Sequence, residues 1–348
     1  MLEGNFGWRR AGMLGTICLA AAITGCASEP GEPVAQGEEP ATTVESSASP
    51  NEEQGQGSVD ESQTPQESGD TRSITDALGH EMTVPAEPQR VIASYMEDHL
   101  VALGVEPVAQ WSIKEGSVQQ YLQEWLKDVP LIPHDLPYEA VMSFEPDLIL
   151  IDSAETVAGD KYSQYSKIAP TFAVGGEQNT DWREELMLIG KALNKEEEAS
   201  QVLADYEIFA KESRDQIQEK IGDQSAAALW VTAKSVFVVS KHLSSGDVLY
   251  RDLELTVPAV VEEISASASA NWNPLSLEKL SELDADHLFV VNSSGVTKEE
   301  LLADPVWQTV PAVKKGQVYE FDQQASWLYT GTIANRLIIE DVLESVLQ

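Results

Sequence analysis

Short runs of apolar, mostly β-branched residues alternate along the chain with stretches of amphipathic helical spacing. Runs of this length are typical of buried strands, and helical patterns such as Glu97–Leu103 and Val118–Trp125 lie between most of them. The predicted strands are Val91–Ser94, Pro107–Gln110, Leu148–Asp152, Thr171–Val174, Ala227–Thr232, Val236–Ser240, His287–Asn292 and Val318–Phe321. Strands that alternate with helices predict an α/β fold with largely parallel sheets.

One segment, Lys195–Ile221, is much longer than the others and contains no Pro or Gly. Its apolar positions have near-helical spacing and are Val202, Tyr206, Phe209, Ile217 and Ile221. The pattern predicts one helix about 40 Å long. Asn194 is its predicted N-cap, and Gly222 is predicted to end it.

The long helix divides the α/β pattern into two comparable halves. The chain beyond residue 71 is also longer than one hydrophobic core usually holds. We therefore expect two Rossmann-like lobes, 72–194 and 223–348, joined by a single connecting helix at 195–222.

The first 25 residues have the pattern of an export signal. Arg9 and Arg10 precede Ala11–Thr24, a mostly apolar run that is too short to span a bilayer. The run ends in Ile23-Thr24-Gly25-Cys26, which resembles the lipobox of bacterial lipoproteins and implies that Cys26 is lipidated. The alternative is an ordinary signal peptide, 1–25, with an incidental cysteine. With the lipid, the mature protein is expected on the extracellular face of the cell membrane.

Residues 26–71 predict a disordered linker. From Ala27 to Thr71 there are 11 acidic residues but no Lys, Arg or aromatic residue, so this segment cannot bury a core. The whole chain has 58 acidic against 22 basic residues, which disfavours nucleic acid as a partner. Both cysteines, Cys18 and Cys26, precede the predicted lobes, which therefore contain no disulfide and no thiolate metal site.

Four stretches of the sequence, read in order, resemble the substrate-binding proteins of iron–siderophore and cobalamin ABC importers. They include Val84-Pro85-Ala86-Glu87-Pro88-Gln89-Arg90-Val91-Ile92, Phe144-Glu145-Pro146-Asp147-Leu148-Ile149, Asn273-Pro274-Leu275-Ser276-Leu277-Glu278-Lys279-Leu280 and Pro311-Ala312-Val313-Lys314-Lys315-Gly316-Gln317-Val318-Tyr319. The resemblance implies a class III periplasmic-binding-protein-like fold, no enzymatic activity and no cofactor. It also implies a monomer that delivers an iron(III)-siderophore complex to the transmembrane subunits of an ABC permease with a cytoplasmic ATPase.

Aromatic residues in loops or beside strand ends are the strongest candidates for ligand contacts, because open α/β sheets bind ligands at the carboxyl ends of their strands. These candidates are Tyr95, Trp111, Trp230, Trp272, Trp327 and Tyr329. The tryptophans in helical patterns are predicted to be core, and they are Trp125, Trp182 and Trp307. Candidate polar contacts are His134, Lys241, His242 and Arg336. A surface salt bridge explains Arg336 equally well.

Few basic residues lie near these aromatic candidates, which bears on the kind of chelate. Catecholate and citrate-type ferric complexes carry several negative charges and need clustered Arg or Lys, whereas ferric hydroxamates are nearly neutral. The sequence therefore favours a hydroxamate-type siderophore. The nearest alternative is haem or cobalamin, with His134 or His242 as an axial ligand. A two-lobed enzyme and a surface adhesin are less favoured.

Signals for catalysis are weak. Ser276 and Lys279 match a Ser-x-x-Lys nucleophile pattern, but its companion motifs are absent and there is no Gly-rich phosphate-binding loop. The 5 histidines are scattered, without the paired spacing of a metal site. The sequence therefore predicts binding without catalysis and no directly bound metal.

The resemblance also implies one exposed glutamate on each lobe that docks to the permease. Glu139, just before Phe144-Glu145-Pro146-Asp147, matches the first of these positions. The second position stays open between Glu262 and Glu263, because the preceding segment lacks the usual glycine after Leu253.

Overall fold

The computed structural model describes residues 70–113, 116–176, 180–268 and 270–348. The predicted signal peptide, Cys26 and the linker up to residue 69 lie outside these ranges. Thr71, predicted as the last linker residue, already begins a strand. Within the described ranges, no helix combines the length and the apolar character needed to cross a membrane.

The first half of the described chain alternates strands with short helices. Its elements are β1 (Thr71–Thr75), β2 (Glu81–Pro85), β3 (Val91–Ala93), α1 (Glu97–Ala102), β4 (Gln110–Ser112), α2 (Gln123–Leu126), β5 (Leu131–Pro133), α3 (Tyr138–Ser143), β6 (Leu148–Ile151), α4 (Lys161–Tyr165), β7 (Thr171–Ala173) and α5 (Trp182–Leu193). A 3-10 turn at Gln120–Leu122 precedes α2.

The long helix α6 (Glu196–Ile221) separates these elements from those of the second half. The second half contains β8 (Ala226–Thr232), β9 (Val236–Val239), α7 (Ser245–Asp247), α8 (Ala259–Ser265), β10 (Trp272–Leu275), α9 (Leu277–Ser281), β11 (His287–Ser293), α10 (Lys298–Leu302), α11 (Pro311–Lys315), β12 (Val318–Asp322) and α12 (Thr332–Leu347). A π-helical turn, Val248–Asp252, continues α7, and 3-10 turns lie at Trp307–Thr309 and Ser326–Leu328. The mixed α/β architecture predicted from the sequence is confirmed.

The first half contains a parallel sheet whose strand order reverses at its centre. Strands β3, β6 and β7 are hydrogen-bonded in that order, and β4 pairs with β5. A parallel bridge between Ile92 and Ala109 places β4 beside β3, so the order is β5-β4-β3-β6-β7. The carboxyl ends of β3 and β6 therefore flank a topological switch point, which is where open α/β sheets bind ligands.

The second sheet has the order β10-β9-β8-β11-β12. Strands β8, β11 and β12 are parallel, whereas β9 runs antiparallel to both β8 and β10. Because β9 reverses direction, the segment that leaves its end and the segment that enters β10 lie at the same edge of the sheet. This edge contributes to the cavity described below.

One apolar core is continuous between the two sheets. It contains Val91 and Leu148 from the first sheet, Phe289 from the second sheet, and Ile338 from α12. Helix α12 packs against both α6 and α1, so the last helix of the chain contacts the first. Burial of this shared surface fixes the arrangement in which the candidate site lies.

Helix α6 has nearly the predicted extent but a different start. Asn194 is not its N-cap; with φ of 59° it is the left-handed residue that ends α5, and Lys195 precedes α6. Asparagine adopts this conformation more easily than most residues, which allows the chain to reverse between two adjacent helices. The buried stripe of α6 consists of Ala199, Tyr206, Ala210, Ser213 and Ile217.

Two further local predictions differ from the structure. The strand predicted at Pro107–Gln110 begins where that range ends, at Gln110, although the backbone N–H of Val108 already donates to Val91 and Ala109 bridges Ile92. Trp125, predicted to be core, is 48% exposed on the four-residue helix α2. So short a helix has only one turn, and its apolar contact is made by Leu126.

Candidate functional site

A cavity of about 490 Å³ is lined by residues from both halves of the chain. The first half contributes residues at the end of β3, at the end of β6 and at the start of α5. The second half contributes the segment between β9 and α7, the residue before β10, and Thr330 before α12. The volume is in the range of small-molecule sites. A ligand in this cavity would therefore contact both halves.

Tyr95 and Asp152 place the cavity at the topological switch point of the first sheet. Tyr95 follows β3 and Asp152 follows β6, and both line the cavity. Tyr95 has φ of 66°, a conformation that costs free energy for a residue with a side chain. Its side chain is 39% exposed although it is a large aromatic ring. An exposed ring on a strained residue at a switch point is typical of a binding contact.

The second wall depends on a close backbone approach at Gly246. A Cβ added there would lie 1.8 Å from the carbonyl oxygen of Ser240, so only glycine fits. This approach holds α7 against the end of β9 and places His242 and Ser244 on the cavity wall.

Carboxylates dominate the charge of the first wall. Asp152 accepts a hydrogen bond from the Thr156 hydroxyl at 2.9 Å and, among the described residues, has no cationic partner within ion-pair distance. Burial raises the pKa of Asp152, and the charge of Glu185 adds to that rise. Glu185 itself lies 3.5 Å from Nε2 of His99.

The arginines at the cavity are already paired with carboxylates. Arg251 lines the cavity and lies 2.7 Å from Asp181 and 3.7 Å from Asp247. Burial alone would raise the pKa of Asp181, but Arg251 and Arg183 lower that pKa overall. These guanidinium groups are therefore compensated before any ligand binds.

Arg183 connects the two halves beneath the cavity. From the first turn of α5 it forms ion pairs with Asp247 at 3.0 Å and with Asp252 at 2.5 Å, both in the second half. Asp252 also accepts a 2.6 Å hydrogen bond from the Tyr206 hydroxyl on α6. The guanidinium lies over the ring of Trp182 at 4.5 Å from its centroid. Three elements of the fold thus meet at one guanidinium group.

Two polar atoms on cavity-lining residues have no hydrogen-bond partner among the described residues. They are Nε1 of Trp182 and Nδ1 of His99, and both side chains belong to residues only 2% exposed. A buried donor or acceptor without a partner is costly, so such atoms need an explanation. A ligand in the adjoining cavity would supply one.

The sequence analysis missed three consecutive titratable residues at the start of α1. Glu97, Asp98 and His99 are each no more than 2% exposed. Glu97 accepts a 2.6 Å hydrogen bond from the backbone N–H of Trp111, and burial raises the pKa of Glu97 to about 8. Charged residues in the first turn of a helix usually face solvent. The one sequence feature that indicates burial here is that these residues closely follow the central strand β3.

Asp98 caps a helix that is distant in sequence. Its two carboxylate oxygens accept hydrogen bonds at 2.9 Å from the backbone N–H groups of Ile333 and Ala334 at the start of α12. The Tyr121 hydroxyl donates a third hydrogen bond to Asp98 at 3.0 Å. Burial raises the pKa of Asp98, and these bonds oppose that rise.

An aromatic cluster extends from the cavity wall. The ring of Tyr95 lies 4.7 Å from Trp111 and 6.1 Å from Tyr329, and Tyr121 lies 5.3 Å from Tyr329. The structure therefore brings Trp111 and Tyr329 next to Tyr95, although neither lines the cavity itself. The role of these rings in ligand binding stays a prediction.

The other predicted contacts of the second half lie around Asn271, which lines the cavity. Trp272 follows it and lies 6.3 Å from the ring of Trp230, whose Nε1 donates to the Ser293 hydroxyl. Lys241 directly precedes the cavity-lining His242, but its ammonium group is paired with Glu262 at 2.8 Å.

Three predicted ligand residues lie elsewhere. Trp327 is fully buried, because its ring stacks on Phe289 and its Nε1 donates to Asp341; it belongs to the core. Arg336 is half exposed on α12, where it pairs with Glu340. Arg336 therefore forms the surface salt bridge that the sequence analysis gave as the alternative to a ligand contact.

His134, the third of these, is exposed and outside the cavity lining. Trp182, predicted to be core, is buried as expected but also lines the cavity. Ser276 of the Ser-x-x-Lys pattern caps helix α9 by accepting from the backbone N–H of Lys279. The described residues contain no cluster of three or more His, Cys, Asp or Glu side chains that would hold a metal ion.

The proposed docking glutamates are all exposed. Glu139 lies in the first turn of α3 and has no ion-pair partner among the described residues. Glu262 is paired with Lys241, and Glu263 with Lys279 at 2.7 Å. The choice between Glu262 and Glu263 therefore stays open.

The amino-acid sequence is similar to a known protein family and to several known binding proteins. The periplasmic binding protein family model matches residues 93–325. The chain is 31% identical over 187 residues to the iron-uptake system-binding protein of Bacillus subtilis (strain 168), a match that spans 52% of this chain and only 56% of that relative. It is 29% identical over 294 residues to the Fe(3+)-citrate-binding protein YfmC of the same organism, covering 80% and 87% of the two chains.

Among solved structures, the chain is similar to Staphylococcus aureus SirA complexed with staphyloferrin B. The TM-score is 0.67 at 26% sequence identity, and the match covers 80% of this chain and 99% of that one. The resemblance recognised in the four sequence stretches is confirmed by these matches.

Proposed function

Because the chain belongs to the periplasmic binding protein family, we propose that it captures a ferric siderophore and delivers it to an ABC permease for iron uptake. The chain is a binding protein and not an enzyme, as the sequence predicts. The observation that carries the proposal is the cavity lined by both halves at the switch point of the first sheet. A ligand that contacts both halves stabilises one arrangement of them, and a permease can recognise that arrangement.

The two halves act in this proposal as Rossmann-like lobes, 72–194 and 223–348, joined by the connecting helix at 195–222. Helix α6 and the continuous core support a restricted motion between the lobes, since a packed helix bends less than a loop hinge. A small motion between the lobes is sufficient for binding if the ligand fills a preformed cavity.

The charge of the cavity supports a nearly neutral ferric chelate, in particular a hydroxamate. Of the described residues that line the cavity, the arginine is paired with carboxylates, and Asp152 and Glu185 add negative charge. An iron(III)-citrate-type complex with several negative charges would meet repulsion there. A hydroxamate complex would be held by aromatic contacts with Tyr95 and its neighbours Trp111 and Tyr329.

Haem or cobalamin is the second candidate, and His242 is the observation that favours it. This histidine lines the cavity and is exposed, so its ring can reach a ligand. His134 does not line the cavity and gives this candidate no support. Purified protein with a strong visible absorption band, lost on His242→Ala, would favour the tetrapyrrole.

The lipid anchor at Cys26 belongs to the same proposal. It rests on the Ile23-Thr24-Gly25-Cys26 sequence and places the protein at the extracellular face of the cell membrane. Cys26→Ser is expected to release the protein into the soluble fraction. Membrane retention of that variant would contradict lipidation at this residue.

A titration of purified protein with a panel of ferric complexes tests the function. The panel contains a ferric hydroxamate, a ferric catecholate, iron(III) citrate and haem, each with its iron-free form as the control. Calorimetry should show 1:1 saturable binding of the hydroxamate complex and weaker binding of the others. Binding of none of the ferric siderophores would overturn the proposal.

A further inference from the structure

The cavity wall that contains Asp152 and Glu185 carries negative charge, and a neutral ligand would leave this charge uncompensated. Asp152 is partly buried and accepts hydrogen bonds from the Thr156 hydroxyl and from neighbouring backbone N–H groups, including that of Ser153. Glu185, on the same wall, interacts with Asp152 through its charge, and Nε2 of His99 lies 3.5 Å from its carboxylate. Among the described residues no lysine or arginine lies within ion-pair distance of either carboxylate. Two like charges on one partly buried wall repel each other unless a cation lies between them.

The opposite wall does not supply that cation. Its arginine, Arg251, already lies within ion-pair distance of Asp181 and Asp247. Arg183 is likewise committed to Asp247 and Asp252. Moving Arg183 toward Asp152 would leave the buried Asp247 and Asp252 without their main partner, which costs more than it gains, and moving Arg251 would break its pairs with Asp181 and Asp247.

A second observation points to a ligand at the same wall. Nε1 of Trp182 is a buried donor with no acceptor among the described residues, and Nδ1 of His99 is buried without a partner. Both residues line the cavity beside Glu185. A ligand that satisfies Nε1 of Trp182 needs an oxygen acceptor, and the neighbouring Glu185 favours a positive charge close to it. The chelating oxygens and a side-arm amine of a linear hydroxamate have this combination.

We propose that the cavity selects ferric siderophores that carry a cationic side arm, with Asp152 and Glu185 holding its ammonium group. This inference rests on the proposed function and names a narrower ligand class within it. The ammonium donates charge-assisted hydrogen bonds to the carboxylates, while the neutral hydroxamate core contacts Tyr95. The specificity then comes from one charge located away from the iron.

The test compares two ligands that differ only in that charge. Ferrioxamine B has a terminal ammonium group, and its N-acetylated form has the same iron-binding core without the charge. Wild-type protein should bind ferrioxamine B at least about tenfold more tightly, in line with charge-assisted hydrogen bonds. Asp152→Asn keeps the acceptor for Thr156 but removes the charge, and it should reduce the preference to about twofold or less.

Two further variants make the outcome specific. Asp128→Asn, an exposed aspartate outside the cavity lining, removes the same charge and should keep the full preference. Glu185→Gln provides an independent removal of charge at the wall if Asp152→Asn does not fold. Equal affinity of wild-type protein for the two ligands, or an unchanged preference in Asp152→Asn, would overturn the inference and leave the proposed function intact. Binding of neither ligand, nor of any other ferric siderophore, would overturn both.

Discussion

Asp98, on the first helix, accepts a 2.9 Å hydrogen bond from the backbone N–H of Ala334, at the start of the last helix. The two residues are 236 positions apart, so this cap joins the two halves of the chain. Gly331 is required beside it, because a Cβ there would lie 2.5 Å from Oδ1 of Asp98. The helix N-terminus of one half is therefore satisfied by a carboxylate of the other.

Asp98→Ala should lower the free energy of unfolding by about 2 kcal/mol, because it removes a cap and leaves buried N–H groups without an acceptor. Asp304→Ala is the matched control, since Asp304 caps a local exposed turn at Val306 and should cost less than about 1 kcal/mol. Urea unfolding followed by circular dichroism measures both. Equal midpoints for the two variants would show that the long-range cap does not stabilise the fold.

Glu97 predicts a pH dependence of stability. Burial raises its pKa from an ordinary value of 4.5 to about 8, so the folded protein favours the neutral acid. The unfolded chain loses this proton at lower pH, and the contribution of Glu97 to stability therefore falls as the pH rises from about 4.5 to about 8.

Glu97→Gln keeps the acceptor for Trp111 and cannot ionise. The variant should match wild-type protein at pH 5 and exceed its Tm by about 3 °C or more at pH 8. The exposed control Glu106→Gln should show no such divergence. A constant Tm difference between pH 5 and pH 8 would mean that Glu97 is ionised throughout this range.

Arg183→Met tests the ion-pair network beneath the cavity. Removing this guanidinium leaves Asp247 and Asp252 without their main partner, and the expected cost is about 3 kcal/mol in the free energy of unfolding. Arg336→Met makes the same chemical change at an exposed pair with Glu340 and should cost about 1 kcal/mol or less. Denaturant midpoints that fall by the same amount would contradict a structural role for the network.

Glu139→Arg separates ligand binding from docking to the permease. The residue is exposed, outside the cavity, and unpaired among the described residues, so ferric-siderophore affinity in solution should stay unchanged. If Glu139 docks as the resemblance implies, iron uptake by cells should fall at least about tenfold, because a reversed charge would repel the basic groups that a docking glutamate needs on the permease. Glu219→Arg, an exposed position on α6, is the control and should support normal uptake. Normal uptake with Glu139→Arg would remove this residue from the docking role.

The sequence predicts the larger features of the fold because they depend on local pattern. The periodicity of α6 and the apolar strands β6 and β11 are visible in the residues themselves. The prediction of Asn194 as the N-cap of α6 was wrong, since a polar residue between two helices can end the first as well as begin the second. Propensity does not distinguish these two roles.

The site was less predictable because its residues are brought together by tertiary contacts. Tyr95 and His242 line the cavity as residue type and position suggested, whereas Trp327 is core because three aromatic rings stack there. Asp152 and Glu185 are indistinguishable in sequence from the solvated acids of a chain with 58 of them. Only the strand order reveals that Asp152 lies beside Tyr95.

The dissociation constant of a ferric hydroxamate for Tyr95→Ala, compared with His134→Ala, tests most directly whether the cavity is the binding site. Tyr95 lines the cavity and His134 does not, although both follow strands of the first half. Tryptophan fluorescence should show saturable 1:1 binding to wild-type protein and to His134→Ala, and about tenfold weaker binding to Tyr95→Ala. Undiminished binding to Tyr95→Ala, or an equal loss in His134→Ala, would contradict the assignment of this cavity as the ferric-siderophore site.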